Sequence, residues 1–418
     1  RITKILRKNT GIKQSGSAWS AGLALLIIPA VLLTVFSLNS GADVNGQMKM
    51  KNKKIAVGFV SIATTYREKS DKSYDETTHL LIEKLTSRRI PAIGFVNDGS
   101  ISTDQITKNN IERQIARANS ISNYIAEKNR YNSAEIAQMR LLVEKSRSQN
   151  EKLKSQRLMI EKMFASRANL VRMWRDAGLE VGIGRYKHMW FVSTPDEDYI
   201  ANAESNEKIV KEILAEKNLT LKYFSYPFLN TGRTVEDQTR YEIWLDSRGL
   251  TSVKYTIDNS EWMYSFAYDA ARNDNDKNKM QEVRAEFLDY MTKIFDHYEA
   301  YSAEMFGRDI NQTMVLTPSR LVADAADELF GMIENRGYQF VSMGEALKDE
   351  AYQTPEAHVE NENGISWFER WQMAQGKKLR DEPQVSKSIE VVWKNRTDKI
   401  APPPPPPPVP PAPPNKKS

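Results

Sequence analysis

The sequence contains no cysteine, which excludes disulfide bonds, thiolate metal sites and a thiol nucleophile. Histidine is also scarce, because only four of the 418 residues are histidine. The net charge of +5 arises from residues 1–17, which hold five basic residues and no acidic one. The rest of the chain is neutral overall and lacks the basic surface that nucleic-acid binding requires. We therefore expect no nucleic-acid partner.

Residues 18–38 form a long uncharged stretch, AWSAGLALLIIPAVLLTVFSL. At about 1.5 Å per residue, a helix of this length crosses the hydrocarbon core of a membrane. A signal segment is the alternative interpretation. Because the basic flank, residues 1–17, precedes the stretch, we expect a single-pass protein of the bacterial inner membrane. The chain after the polar linker, residues 39–52, is then periplasmic or extracellular.

Between residues 53 and 380, short apolar runs alternate with amphipathic helical patterns, which is typical of a parallel sheet with crossover helices. The helical patterns cover residues 75–89, 195–216, 235–248, 278–306 and 324–336. The candidate strands are Ile55–Val60, Ala92–Val96, Leu179–Ile183, Leu221–Ser225, Ser252–Ile257, Thr313–Leu316 and Gln339–Ser342. About seven such strands favour a distorted α/β barrel over an open sheet, with ligand-facing residues at the carboxyl ends of the strands.

Two further segments differ in composition from this pattern. Residues 103–168 are rich in Asn, Gln, Ser, Lys and Glu, and their apolar residues predict one or two long solvated helices as an insertion. A coiled coil that binds a protein partner is the alternative. Residues 381–418 form a proline-rich tail, whose seven consecutive prolines at 402–408 favour polyproline II helix. The tail is either a spacer or a ligand for a proline-recognising protein.

Six separated stretches resemble, in order, segments of the polysaccharide deacetylases, the NodB-homology domains of carbohydrate esterase family four. They are HLLIEKLTSRRIPAIGFV (79–96), LVRMWRDAGLEVGIGRYKH (170–188), KYFSYPFLNTGRT (222–234), TIDNSEWM (256–263), VLTPSRLVADAADELFGMIENRGYQFVSMGEAL (315–347) and GISWFERWQMAQGK (364–377). The resemblance covers about residues 52–98 and 166–380. It implies the distorted barrel and leaves the helical segment as an insertion.

The resemblance also implies a reaction, the hydrolysis of N-acetyl groups, which are carbon–nitrogen non-peptide bonds, in amino-sugar polymers. In this family an aspartate and two histidines hold a divalent metal, a second aspartate is the base, a late histidine is the acid and an arginine orients the base. The corresponding positions here, apart from the second metal histidine, are Val60, Ser61, Gly184, Ser225 and Thr317. Only His188, a remnant metal ligand, is retained. We therefore expect no intact catalytic site and no resident cofactor.

Two functions remain open from the sequence. The first is a pseudoenzyme that binds peptidoglycan or another amino-sugar polysaccharide, or acts as a scaffold. The second is an active deacetylase of peptidoglycan or exopolysaccharide with an atypical site, which requires a zinc-like divalent ion at His188. Because neighbours such as Phe59 and Tyr186 still match the family, deliberate inactivation also fits the pattern.

Four residues are candidates for a substrate groove, since aromatic rings pack on the apolar faces of sugars. They are Tyr226, Asp258, Trp262 and Tyr264. Burial in the core is the alternative for the aromatic residues, and a turn or cap role is the alternative for Asp258.

The two ends of the chain resemble a second family more weakly. A basic segment, a lone apolar span and a tail beginning KIAPPPPPPP (399–408) are similar to the region after the peptidase domain in antibiotic-sensor membrane metallopeptidases. Their histidine-glutamate-x-x-histidine motif is absent from this sequence, so no peptidase activity is inferred. The resemblance is compatible with a role in the cell envelope.

Overall fold

The computed structural model describes residues 53–62, 71–96, 133–184, 191, 194, 196–360 and 364–396, with isolated helical residues between 113 and 123. The predicted membrane span at 18–38, its flank and linker, and the prolines at 402–408 lie outside the described residues. No helix within the described ranges is both long and apolar enough to cross a membrane.

Seven parallel strands occur in the described part of the chain. They are β1 (Lys53–Val60), β2 (Ile93–Val96), β3 (Glu180–Ile183), β4 (Tyr223–Phe224), β5 (Thr251–Ser252), β6 (Gln312–Leu316) and β7 (Tyr338–Phe340). Their order across the sheet is β5-β4-β3-β2-β1-β6, and β7 pairs with the first residues of β1. β1 is buried along most of its length, as expected for a central parallel strand that is covered on both faces.

The sheet is curled, and the chain after β5 reaches β6 at the other end of the strand order. Ile257 pairs with Met314 of β6, and the Ile257 amide donates to the Thr313 carbonyl oxygen at 2.9 Å. This curled parallel sheet with its helices is consistent with the (β/α) barrel that the sequence predicted. The fifth strand is shorter than the predicted Ser252–Ile257, because residues 253–257 cross from β4 to β6.

Eleven α-helices accompany the strands in the described residues. They are α1 (Asp71–Ser87), α2 (Ser133–Asp176), α3 (Asp196–Ala215), α4 (Val235–Ser247), α5 (Glu261–Asn273), α6 (Lys277–Phe306), α7 (Arg320–Asp324), α8 (Ala326–Asn335), α9 (Met343–Ala346), α10 (Trp367–Ala374) and α11 (Lys387–Lys394). The five predicted helical patterns are confirmed as α1, α3, α4, α6 and α8. A capping box between Thr234 and Asp237 begins α4, and Gly307, with a φ of 64°, ends α6.

Helix α2 is the long helix predicted for the insertion. Leu141 and Leu158 are exposed, as expected for a solvated helix. The helix continues past residue 168 to Asp176 without a break, and Trp174 in its last turns is buried. The Trp174 indole donates to the Glu180 carbonyl oxygen at 2.9 Å. The end of α2 therefore belongs to the core that supports β3.

Residues 381–396, which the sequence analysis included in the proline-rich tail, pack against the preceding helices. Ile389 of α11 is 1% exposed. The Ser386 amide donates to the Tyr264 hydroxyl at 3.2 Å, and the Trp393 ring lies edge-on against Trp262 of α5. The packed part of the chain therefore extends to Arg396.

Candidate functional site

The five positions that the resemblance assigns to catalytic residues lie at the carboxyl ends of four strands. Val60 ends β1 and Ser61 follows it, while Gly184, Ser225 and Thr317 come directly after β3, β4 and β6. The carboxyl ends of parallel strands share one edge of a sheet, so these five positions form a single rim. We call this edge the strand-end rim. His188, the remaining family residue, lies outside the described residues.

Backbone hydrogen bonds connect neighbouring parts of the strand-end rim. The Gly184 amide donates to the Val96 carbonyl oxygen, and the Ser225 amide donates to the Ile183 carbonyl oxygen, both at 2.9 Å. On the other side, Phe59 of β1 pairs with Leu316 of β6, so the next residue of each strand also lies side by side. The sheet therefore holds the rim positions in the order of the strands.

The end of β1 has an unusual backbone conformation. Ser61 has a φ of 66°, in the left-handed region that residues with a Cβ rarely adopt. Such conformations are common near functional sites. The side chains nevertheless do not fit the divalent metal that the family resemblance implies, because Val60 is a hydrocarbon, Gly184 has no side chain and a serine hydroxyl is a poor ligand. Among the described residues, no three His, Asp or Glu side chains are placed to hold a metal ion.

Ser225, at the position of the family arginine, is 0% exposed. Tyr255 lies beneath it, and burial raises the pKa of Tyr255, while the Ser225 hydroxyl lowers it. The Tyr255 ring also meets Phe95 edge-on, with 6.5 Å between ring centroids. A Cβ on Gly58 of β1 would overlap the Tyr255 hydroxyl, which explains the glycine in the middle of this strand. Ser225 is therefore buried next to an aromatic side chain of the interior.

Thr317, at the position of the family's acid histidine, is bonded to Glu261 in the first turn of α5. The Thr317 amide donates to Glu261 Oε2 at 3.0 Å, and the Thr317 hydroxyl donates to the same oxygen at 2.7 Å. The hydroxyls of Ser319 and Ser265 also donate to Glu261 Oε1. Burial raises the pKa of Glu261, which is 1% exposed, and these hydrogen bonds oppose the increase. Both hydrogen-bond donors of Thr317 are thus engaged with a buried carboxylate.

Glu261 was not among the residues selected from the sequence. It lies within the matched stretch TIDNSEWM, between Asp258 and Trp262. The only local signal is an acidic residue at the start of a helix, and such residues are common because they interact favourably with the helix dipole. The role of Glu261 depends on contacts with residues more than 50 positions away.

Three carboxyl groups interact electrostatically with one another, and we call them the acidic cluster: Asp258, Glu369 and Glu382. Burial, and secondarily the charge of Glu382, raise the pKa of Asp258 to about 7, although the Asn259 amide opposes this. Burial and the same neighbour raise the pKa of Glu369 to about 7. The Tyr298 hydroxyl donates to Glu382 at 3.4 Å. Burial therefore favours the protonated form of both carboxyl groups, Asp258 and Glu369.

The structure does not line one exposed groove with the four predicted groove residues. Tyr226 is 1% exposed and its hydroxyl donates to Glu242 at 2.8 Å. Tyr264 is also 1% exposed, so both tyrosines match the core alternative. Asp258 is half-buried in the acidic cluster, and Trp262 is 39% exposed. Trp262 is therefore the predicted aromatic residue that presents substantial surface.

No protein-family model and no curated protein matches this chain. Solved structures with a similar arrangement include a CE4 family pseudoenzyme from Bacillus anthracis, with 12% identity, a TM-score of 0.37, and coverage of 71% of this chain and 66% of that chain. The peptidoglycan deacetylase PdaC from Bacillus subtilis has 13% identity, a TM-score of 0.37, and coverage of 73% and 94%. A polysaccharide deacetylase from Bacillus cereus has 11% identity, a TM-score of 0.39, and coverage of 70% and 92%. Similarity at this level assigns neither a family nor an activity to this chain. Its function must be inferred from its own residues.

Proposed function

We propose that this chain is a polysaccharide deacetylase-like domain that has lost the metal-dependent hydrolysis of N-acetyl groups and binds an amino-sugar polymer or acts as a scaffold. The observation that carries the proposal is the engagement of Thr317. Its amide and its hydroxyl both donate to the buried Glu261, so the position of the family's general acid has a structural partner. A threonine hydroxyl is also a far weaker acid than an imidazolium.

The retention of the scaffold supports the same proposal. Six stretches follow the order of the family's segments, and seven parallel strands form a curled sheet with the substituted positions on one rim. The rim residues supply no carboxylate or imidazole at Val60, Ser61 or Gly184. Loss of several members of a catalytic unit commonly leaves little beyond binding. A retained scaffold without the reactive groups is the composition expected of a binding domain.

We further propose where the domain works. Residues 18–38 anchor it in the bacterial inner membrane, and the basic flank at 1–17 orients the barrel toward the periplasm or the outside of the cell. Peptidoglycan is the amino-sugar polymer accessible in that location. The helical insertion or the proline-rich tail provides the surface for a protein partner.

A sedimentation assay with the purified full chain in detergent tests the proposal. We expect the protein to sediment with insoluble peptidoglycan or chitin and to release no acetate, with or without a chelator. Asp258→Ala should weaken sedimentation, because Asp258 lies beside the strand-end rim. Asp246→Ala, an exposed substitution in the last turns of α4, is the matched control and should have no effect.

One observation favours an active deacetylase with an atypical site as the second candidate. Asp258 and Glu369 both have a pKa of about 7, which is suitable for proton transfer at neutral pH. Acetate release that a chelator abolishes and that Asp258→Asn reduces would support this candidate. Absence of sedimentation together with absence of acetate release would contradict both glycan binding and the active deacetylase.

A further inference from the structure

Three aromatic side chains form a cluster on α5 and α11, which we call the aromatic cluster: Trp262, Phe266 and Trp393. Trp262 and Phe266 are four residues apart, so they share one face of α5. Trp393 lies edge-on against both rings, with centroid distances of 4.6 Å to Trp262 and 5.5 Å to Phe266. Trp262 nevertheless remains 39% exposed.

The end of the described chain folds onto the same cluster. The Arg396 guanidinium lies 3.6 Å from the centre of the Trp393 ring, and its Nη1 donates to the Trp393 carbonyl oxygen at 2.9 Å. In the sequence, four residues then lead to APPPPPPPVPPAPP at 401–414. Pro402 follows Arg396 by six residues, so covalent geometry limits it to about 20 Å from Arg396. The proline-rich segment is thus tethered next to an exposed tryptophan.

The chemistry of the two surfaces is complementary. Proline-rich segments adopt polyproline II helix before binding, and aromatic-lined grooves recognise this conformation with little further loss of entropy. The helix has three residues per turn, so Pro408, Pro411 and Pro414 share one side of it. A short tether also raises the effective concentration of the segment at the cluster to about the millimolar range. Even weak contacts between proline and indole rings are populated under that condition.

We propose that the aromatic cluster binds the chain's own proline-rich segment, residues 401–414. The proposal does not require the proposed glycan function, although Trp262 directly follows Glu261, which contacts Thr317 of the strand-end rim. When the segment is docked, the tail reaches less far from the domain than when it is extended, and the aromatic cluster covers its prolines. The aromatic cluster then competes with any proline-recognising partner for the tail.

A fluorescence experiment on the full chain in detergent tests the proposal. Because the chain has no cysteine, Val409→Cys provides a single site for a small bimane label, which tryptophan quenches on contact. We expect the label to be quenched relative to the same label on a free peptide of residues 401–414. The quenching should be independent of protein concentration, and excess unlabelled peptide should relieve it.

Two further variants separate docking from random collision. Replacement of Pro402–Pro408 by a Gly/Ser sequence of equal length keeps the reach of the tether but removes the polyproline II conformation, so quenching should be lost. This change leaves every described residue intact. Trp262→Ala should also abolish quenching, while Val391→Ala should not. Val391 is the control because it is 46% exposed and lies about 200° around α11 from Trp393.

Three results would overturn the proposal. Equal quenching in the Gly/Ser variant would show collision of a flexible tether. Quenching that grows with protein concentration would show that the segment binds a second copy of the chain. An unquenched label, combined with a change in tryptophan fluorescence on addition of chitin oligomers that Trp262→Ala removes, would show that the aromatic cluster binds sugar.

Discussion

Glu261→Ala removes the acceptor of both hydrogen bonds that Thr317 donates. The hydroxyls of Thr317, Ser265 and Ser319 can rotate toward other acceptors, but the Thr317 amide cannot. A buried N–H without an acceptor costs about 1–3 kcal/mol, and the lost packing of the glutamate stem adds to this. Relief of the buried carboxylate, whose pKa is raised by burial, acts in the opposite direction. We expect the free energy of unfolding to fall by about 2–4 kcal/mol.

Glu261→Gln distinguishes acceptor geometry from charge. The amide oxygen can face the Thr317 N–H, and the NH₂ group can donate to the hydroxyls of Ser265 and Ser319, so we expect a loss of about 1 kcal/mol. Glu236→Ala, an exposed glutamate in the first turn of α4, is the matched control and should change stability by less than about 0.5 kcal/mol. Urea unfolding at pH 7 measures all three variants. A loss for Glu261→Ala no larger than that of the control would refute the structural role of the carboxylate.

Three further predictions concern pH, the insertion and topology. The pKa values of Asp258 and Glu369 are raised to about 7, so the folded chain binds protons more strongly than the unfolded chain. The free energy of unfolding should therefore fall as the pH rises from about 4 through 7. Urea unfolding at pH 5 and pH 8 checks this, and Asp258→Asn should reduce the difference in stability between the two pH values. Deletion of residues 103–168 with a short linker should leave a cooperative melt, because the buried Trp174 lies beyond the cut; a molten product would place the insertion in the core. Protease added to intact spheroplasts should degrade the barrel and spare a short N-terminal piece, whereas full protection would contradict the predicted orientation.

The strands were predictable because each apolar run is short and lies between helical patterns. β1, β2 and β3 begin and end within two residues of their predicted bounds. β5 was overestimated because residues 253–257, VKYTI, alternate apolar and polar side chains like a strand, although they pair with two different strands in succession. Composition placed the start of the tail before α11, because an eight-residue helix with Ile389 as its one buried residue gives a weak apolar signal in the sequence.

The candidate site was predictable only in part. The order of the matched stretches located the strand-end rim, because motif positions follow the strands. The acidic cluster was not predictable, since Asp258 and Glu369 are separated by more than 100 residues and no local pattern links them. Residue type alone also did not decide whether Tyr226 and Tyr264 face a groove or the core. Their burial depends on Glu242 and Ser386, which come from other segments.

The structure indicates what two substitutions toward the residues of the polysaccharide deacetylases would change at the strand-end rim. Thr317→His would place an imidazole beside the Glu261 carboxylate, which favours the protonated ring. Ser225→Arg requires space next to Tyr255, so this position is the most demanding of the set. Metal binding should therefore recover more readily than activity, which also needs supporting hydrogen bonds around the ligands.

The most direct test of the proposed loss of metal-dependent hydrolysis is the zinc content of two purified proteins after equilibrium dialysis, with acetate release measured on the same samples. One is the unmodified chain, and the other carries Val60→Asp, Ser61→Asp, Gly184→His, Ser225→Arg and Thr317→His. We expect no stoichiometric zinc and no acetate from the unmodified chain, and recovered zinc binding in the substituted one. Stoichiometric zinc in the unmodified chain, with acetate release from chitin oligomers or peptidoglycan that a chelator abolishes, would contradict the account.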